Sequence, residues 1–152
     1  MTETTAYRWE RRALWRRFAA SPFRALAYWV PTLLLAAELL GGGMTDTLHL
    51  PPFYAALVQL GYPGYVGVII GVWKVLGAIT VLAPRLPRLK EWAYAGAVFD
   101  LTGAAASYLA VGGSAGDLAA PLAFVGLAAA SWALRPTSRR LGPRVGGRAA
   151  AQ

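Results

Sequence analysis

The stretch Gly64-Tyr-Val-Gly-Val-Ile-Ile-Gly-Val-Trp-Lys-Val-Leu-Gly-Ala-Ile-Thr-Val-Leu-Ala83, closed by Pro84, carries one charge, Lys74, near its centre. A helix crossing a hydrocarbon core of ~30 Å takes about 20 mostly apolar residues, and this stretch has that length. Working outward, three more apolar runs bounded by charges or prolines meet the same criterion. They lie at about 25–43, 92–111 and 118–134, the last ended by Arg135 and Pro136. The chain of 152 residues is 57% hydrophobic and only 14% charged, against about 25% charged in ordinary soluble domains. An all-α polytopic membrane protein is therefore expected, a bundle of four transmembrane helices over 25–134. A basic arm or interfacial helix (1–24) precedes it and a basic disordered tail (135–152) follows.

The placement of Lys and Arg orients the spans, because cytoplasmic loops retain positive charge. Six arginines from Arg8 to Arg24 precede the first span, and Arg85, Arg88 and Lys90 fill the link between the second and third. Arg135, Arg139, Arg140, Arg144 and Arg148 follow the fourth. The loops at about 44–63 and 112–117 contain neither residue. Both termini are expected on the cytoplasmic side of a bacterial inner membrane, in contact with membrane lipid. The net charge of +8 is then mainly a topology signal, and no nucleic-acid partner is implied. A secretory signal peptide is disfavoured, since the first apolar run is too long and lacks a small-x-small cleavage site.

Within the outer loop, Pro51 to Tyr62 is apolar but too short to cross. It reads as a short helix started by the prolines, lying on the outer leaflet over the bundle.

No cysteine is present and His49 is the only histidine, so thiolate ligands are excluded and no metal site is expected. His49 reads as a solvated loop histidine more readily than as a proton relay. Glycine-rich nucleotide loops and the Gly-x-Ser-x-Gly elbow are likewise missing.

What remains is charge inside the membrane. An ionised side chain at mid-bilayer costs about 2.5–3.5 kcal/mol on insertion scales, so Glu38, Lys74 and Asp100 either pair or work. Small residues at helical spacing surround two of them: Gly67, Gly71, Gly77 and Ala78 near Lys74, and Ala93, Gly96, Gly103, Ala104 and Ser107 near Asp100. Such faces favour close helix approach. At 1.5 Å per residue, Lys74 and Asp100 both lie roughly 15 Å from the cytoplasmic ends of their helices and are expected to pair. Glu38, roughly 21 Å in from Arg24, lies about one turn further out. It is expected to stand without a cation and to donate a hydrogen bond to a lipophilic carbonyl compound.

Tyr28-Trp29 through Glu38, Leu60-Gly61-Tyr62-Pro63 and Gly71-Val72-Trp73-Lys74-Val75-Leu76-Gly77-Ala78 resemble the DoxX-like family. Leu89-Lys90-Glu91-Trp92-Ala93-Tyr94-Ala95-Gly96, continuing to Asp100, Gly103-Ala104 and Ser107, completes the likeness, which covers about 26–134. The resemblance implies a four-helix bacterial inner-membrane protein. The wider family takes its name from a membrane subunit of a thiosulfate:quinone oxidoreductase, and a related protein partners soluble redox enzymes.

The leading expectation is an accessory subunit holding a lipophilic molecule, a quinone or lipid, against Glu38, Lys74 and Asp100, with a redox enzyme or a second copy as partner. Two alternatives stay open. One is a membrane enzyme using Glu38 and Asp100 for acid–base isomerisation or cyclisation, and the other is a small proton-coupled exporter.

Overall fold

The computed structural model describes residues 22–141. The expected arm before residue 22 and the end of the expected tail lie outside these. Five α-helices and one short 3-10 turn make up the described chain, with no strand among its residues. They are α1 (Pro22–Thr47), α2 (Phe53–Gln59), α3 (Gly64–Leu82), α4 (Pro87–Ala110) and α5 (Ala115–Leu134), with the 3-10 turn at Thr137–Arg139.

The helix ends follow from local chemistry. Ala83 turns to an extended ψ of 140°, as a residue before proline must, and Pro84 stops α3. Pro87 sits at the start of α4, where its missing N–H costs nothing. Ser114 and Asp117 form a reciprocal cap on α5, the Ser114 N–H donating to Asp117 Oδ2 at 2.8 Å. Gly112, at φ +77°, makes the left-handed turn that joins α4 to α5.

The first helix runs further than expected. The sequence places its end at the Gly41-Gly42-Gly43 run, yet α1 continues to Thr47. Hydroxyls hold the glycine turns from the next turn along: Thr45 Oγ1 donates to the carbonyls of Gly41 (3.1 Å) and Gly42 (3.0 Å), and Thr47 Oγ1 to that of Gly43 (2.8 Å). The same glycines permit close packing. A Cβ at Gly43 would stand 2.7 Å from the Gly71 carbonyl oxygen, so α1 and α3 meet backbone to backbone there.

The long helices form a ring, α1 against α3 and α5, and α4 against α3 and α5. Leu35, Leu39, Ala78, Val81, Tyr94, Ala97, Leu101 and Ala128 fill its centre. A buried polar chain crosses the core, with Tyr94 and Thr32 hydroxyls each on Ser131 Oγ at 2.7 and 2.6 Å and Thr32 donating to the Tyr28 carbonyl.

Outside the ring, large apolar side chains face outward: Phe23 is 77% exposed, Trp92 79% and Phe99 76%. A belt of this extent needs an apolar surrounding. By length and composition α1, α3 and α5 are able to cross a membrane. The fourth long helix, α4, is 24 residues long but carries Lys90, Glu91 and Asp100 and is not among these three.

The end of the bundle opposite α2 is locked by cations. Buried Lys90 donates from Nζ to the Thr80 carbonyl at 3.0 Å and to that of Val81, satisfying the last turn of α3. Arg135 bonds Glu91 at 2.7 Å, Trp132 Nε1 donates to the same carboxylate at 2.7 Å, and Arg139 lies over the Trp29 ring at 4.8 Å. The first residues of the expected disordered tail are thus bound to the bundle.

Lys90 precedes the apolar part of α4, and its pKa is lowered to about 8 by burial first and then by Arg139 and Arg135. The unfolded chain, with an ordinary lysine, binds more protons between pH 8 and about 10.5, so folding should gain stability as pH rises through that window. The thermal midpoint of the wild type should rise there relative to that of Lys90→Met. Parallel profiles of the two proteins would contradict this.

Candidate functional site

The paired spacing of α1 builds the site. Glu38, Gly42 and Asp46 recur every four residues, so they lie one above another on one face. The missing side chain at Gly42 leaves room for the Lys74 ammonium: a Cβ there would be 2.9 Å from Nζ.

Lys74 therefore reaches between two carboxyls of α1 and one of α4. Its Nζ lies 3.1 Å from Glu38 Oε1, 3.6 Å from Asp46 Oδ2 and 3.7 Å from Asp100 Oδ2. The Phe53 ring of α2 lies 5.5 Å from the same ammonium. Glu38 is 8% exposed and Asp46 2%.

This arrangement corrects the sequence expectation in two respects. Glu38 is not left without a cation, since it is the nearest of the three carboxyls to Lys74; the lysine's flexible four-carbon stem spans the extra turn. Asp46, expected in the outer loop, is a fourth member of the cluster. The signal was present in the four-residue spacing from Glu38 through Gly42 to Asp46, readable once α1 is allowed to continue through its glycines.

Three carboxyls around one ammonium leave an excess of acid. Lys74 has three protons to give, and three carboxyls face them. Glu38 Oε2 and Asp46 Oδ1 are buried and have no hydrogen-bond partner among the described residues. The space between the carboxyls is filled by the lysine, and no side-chain group suited to a metal ion occurs among the described residues.

The cluster forms the floor of a cavity of about 500 Å³, roofed by α2 and walled by α1, α4 and α5, with Glu38, Asp46, Lys74 and Asp100 all lining it. A second cavity, of about 430 Å³, lies between α3 and α4 and is lined by Trp73, Leu76, Trp92 and Gly96. Lys74 and Asp100 line both cavities.

The small residues beside Asp100 take a different part from the one expected of them. Gly96 and Gly103 have open space where a Cβ would be, and they line the two cavities. They leave open space beside Asp100, whereas Gly71 on α3 makes room for a helix.

His49 stands apart from the cluster. Its ring meets Tyr54 edge-on at 4.3 Å and Nε2 lies 3.4 Å from the Gly64 carbonyl, an exposed position that ties the loop to the start of α3.

A helical bundle with an apolar exterior and charged side chains gathered between its helices is the build of a membrane protein. The sequence profile of the DoxX-like family matches residues 30–131, a span that includes all four charged residues of the cluster, and the chain belongs to that family. No similar curated protein and no similar solved structure was found.

Proposed function

We propose that this DoxX-like protein is a small membrane subunit that holds a lipophilic molecule in the α2-roofed cavity, with the molecule's polar end on the Glu38–Asp46–Lys74–Asp100 cluster. One observation carries the reading: a largely apolar cavity is lined by Glu38 and Asp46, each of which keeps a buried carboxyl oxygen without a partner among the described residues. Burying polar atoms without partners costs about 1–3 kcal/mol each, a cost that a bound molecule would remove.

The quinone expected from the sequence fits this floor poorly in one respect. A quinone offers only acceptors, and the protons of Lys74 already face carboxyls. Mass spectrometry of the protein purified in mild detergent tests the reading directly. A lipophilic compound should copurify with the wild type and be lost when Ala104 and Phe124, on the cavity wall, are both replaced by larger or charged residues. A wild-type protein empty of everything but bulk phospholipid would sink it.

The proposed topology has four spans, with α4 as the third because its Asp100 faces Lys74 within the bundle, and both termini on the cytoplasmic side of the inner membrane. The α2 end then faces outward. The chain has no cysteine, so single cysteines report orientation cleanly. A membrane-impermeant maleimide should label Ala115→Cys from outside intact cells and Ser138→Cys only after the cells are opened. The reverse pattern would invert the topology.

A further inference from the structure

The chemistry of the cavity floor narrows the ligand class. Both free oxygens belong to carboxyls, which as anions only accept hydrogen bonds, and both residues are more than nine-tenths buried and line the cavity. Their side chains face one ammonium where three carboxyls are available, so with every group ionised the floor holds two uncompensated negative charges. Buried charge is costly unless matched, and an isolated excess of this kind calls for a cation with protons to donate.

The walls suit the rest of such a molecule. Phe53, Tyr62, Tyr108 and Phe124 line the cavity, and aromatic faces attract a desolvated cation as well as an apolar body. Phe53 already lies 5.5 Å from the Lys74 ammonium, so the roof helix presents a ring to the charged cluster. A donor reaching Glu38 Oε2 and Asp46 Oδ1 would alternate with Lys74 around the carboxyls, each cation between anions.

We propose that the α2-roofed cavity binds a lipophilic amine in its protonated form, the ammonium donating to the free oxygens of Glu38 and Asp46 and the apolar body lying against the aromatic wall. The proposal rests on the reading that this cavity holds a lipophilic molecule, and adds its charge and its hydrogen-bonding sense.

Three probes of equal length and apolar volume separate the possibilities: phenyloctylamine, protonated at neutral pH, phenyloctanol, a neutral donor, and the methyl ketone of the same chain, an acceptor only. Equilibrium binding of each is measured on the full-length protein in lipid nanodiscs, corrected for partition into empty discs. The amine should bind saturably, one per chain, and roughly tenfold to a hundredfold tighter than the alcohol or the ketone, the range expected for a charged hydrogen bond. Glu38→Gln and Asp46→Asn should each remove most of that preference. The ranking on the wild type decides the matter even if a variant fails to fold. Equal binding of the three, or a preference for the ketone, would overturn the amine proposal and leave the lipophile reading standing. Failure of all three to bind at a saturable site would overturn both.

Discussion

Lys74→Met should cost the bundle about 3–5 kcal/mol, the scale of breaking a buried ion pair by removing one partner. Methionine nearly matches the lysine stem in length and apolar character, so the packing of the stem changes little. The charge balance changes completely, because Glu38, Asp46 and Asp100 would then face one another with no cation among them. Thermal unfolding in one detergent should show a midpoint lowered by about 10 °C or more. The decisive comparison adds Glu38→Gln, Asp46→Asn and Asp100→Asn to Lys74→Met. If charge is the cause, the fully neutral cluster should recover most of the loss, since buried ion groups replaced together are often close to neutral in stability. A quadruple variant as unstable as the single one would place the effect in shape and contradict this account.

The second large effect is expected at Gly71. A Cβ there would lie 2.5 Å from the Gly43 carbonyl oxygen and 2.8 Å from the Thr47 nitrogen. Both are backbone atoms of α1, which no rotamer change can move. Gly71→Ala must therefore push α1 from α3, at about 1–3 kcal/mol or more, and it would pull the Glu38–Asp46 face away from Lys74. Gly96→Ala has open space around the new methyl. It should be neutral or stabilising by up to about 1 kcal/mol, since alanine is the better helix residue. Midpoints of the two variants in the same detergent check the contrast, and equal midpoints would show that the close approach at Gly71 is unimportant.

Much of the fold was legible because the evidence for it is one-dimensional. The apolar runs that become the long helices, and the prolines at 84 and 136 that close two of them, are visible without knowing which helix touches which. The short helix beneath the prolines at 51 and 52 was legible for the same reason. Contact between helices is a different matter. Glycine weakens a helix in water, so the run at Gly41 to Gly43 reads as an end. In the bundle the three are supported by Thr45 and Thr47, Gly42 and Gly43 are covered by α3, and α1 goes on to deliver Asp46.

Depth counted along each axis also misjudged Glu38. Rise per residue locates a Cα, while the partner of a carboxyl is set by how far a long side chain can bend. Small residues were ambiguous in a further way: spacing shows that Gly71 and Gly96 both lie beside a charge, and only the packing shows that one faces a helix and the other a void.

The seam between α3 and α4 has a consequence for any compound that uses it. That cavity reaches Lys74 and Asp100 from between Trp73 and Trp92, both strongly exposed on the outer surface of the helices. A solute entering there comes dissolved in the bilayer, whose concentration of it is governed by oil–water partition. Each added methylene favours that phase by about 0.8 kcal/mol, so potency referred to the aqueous dose climbs along a homologous series even when contacts inside the protein stay the same. For a compound that uses this seam, the membrane would be the reservoir from which occupancy is set.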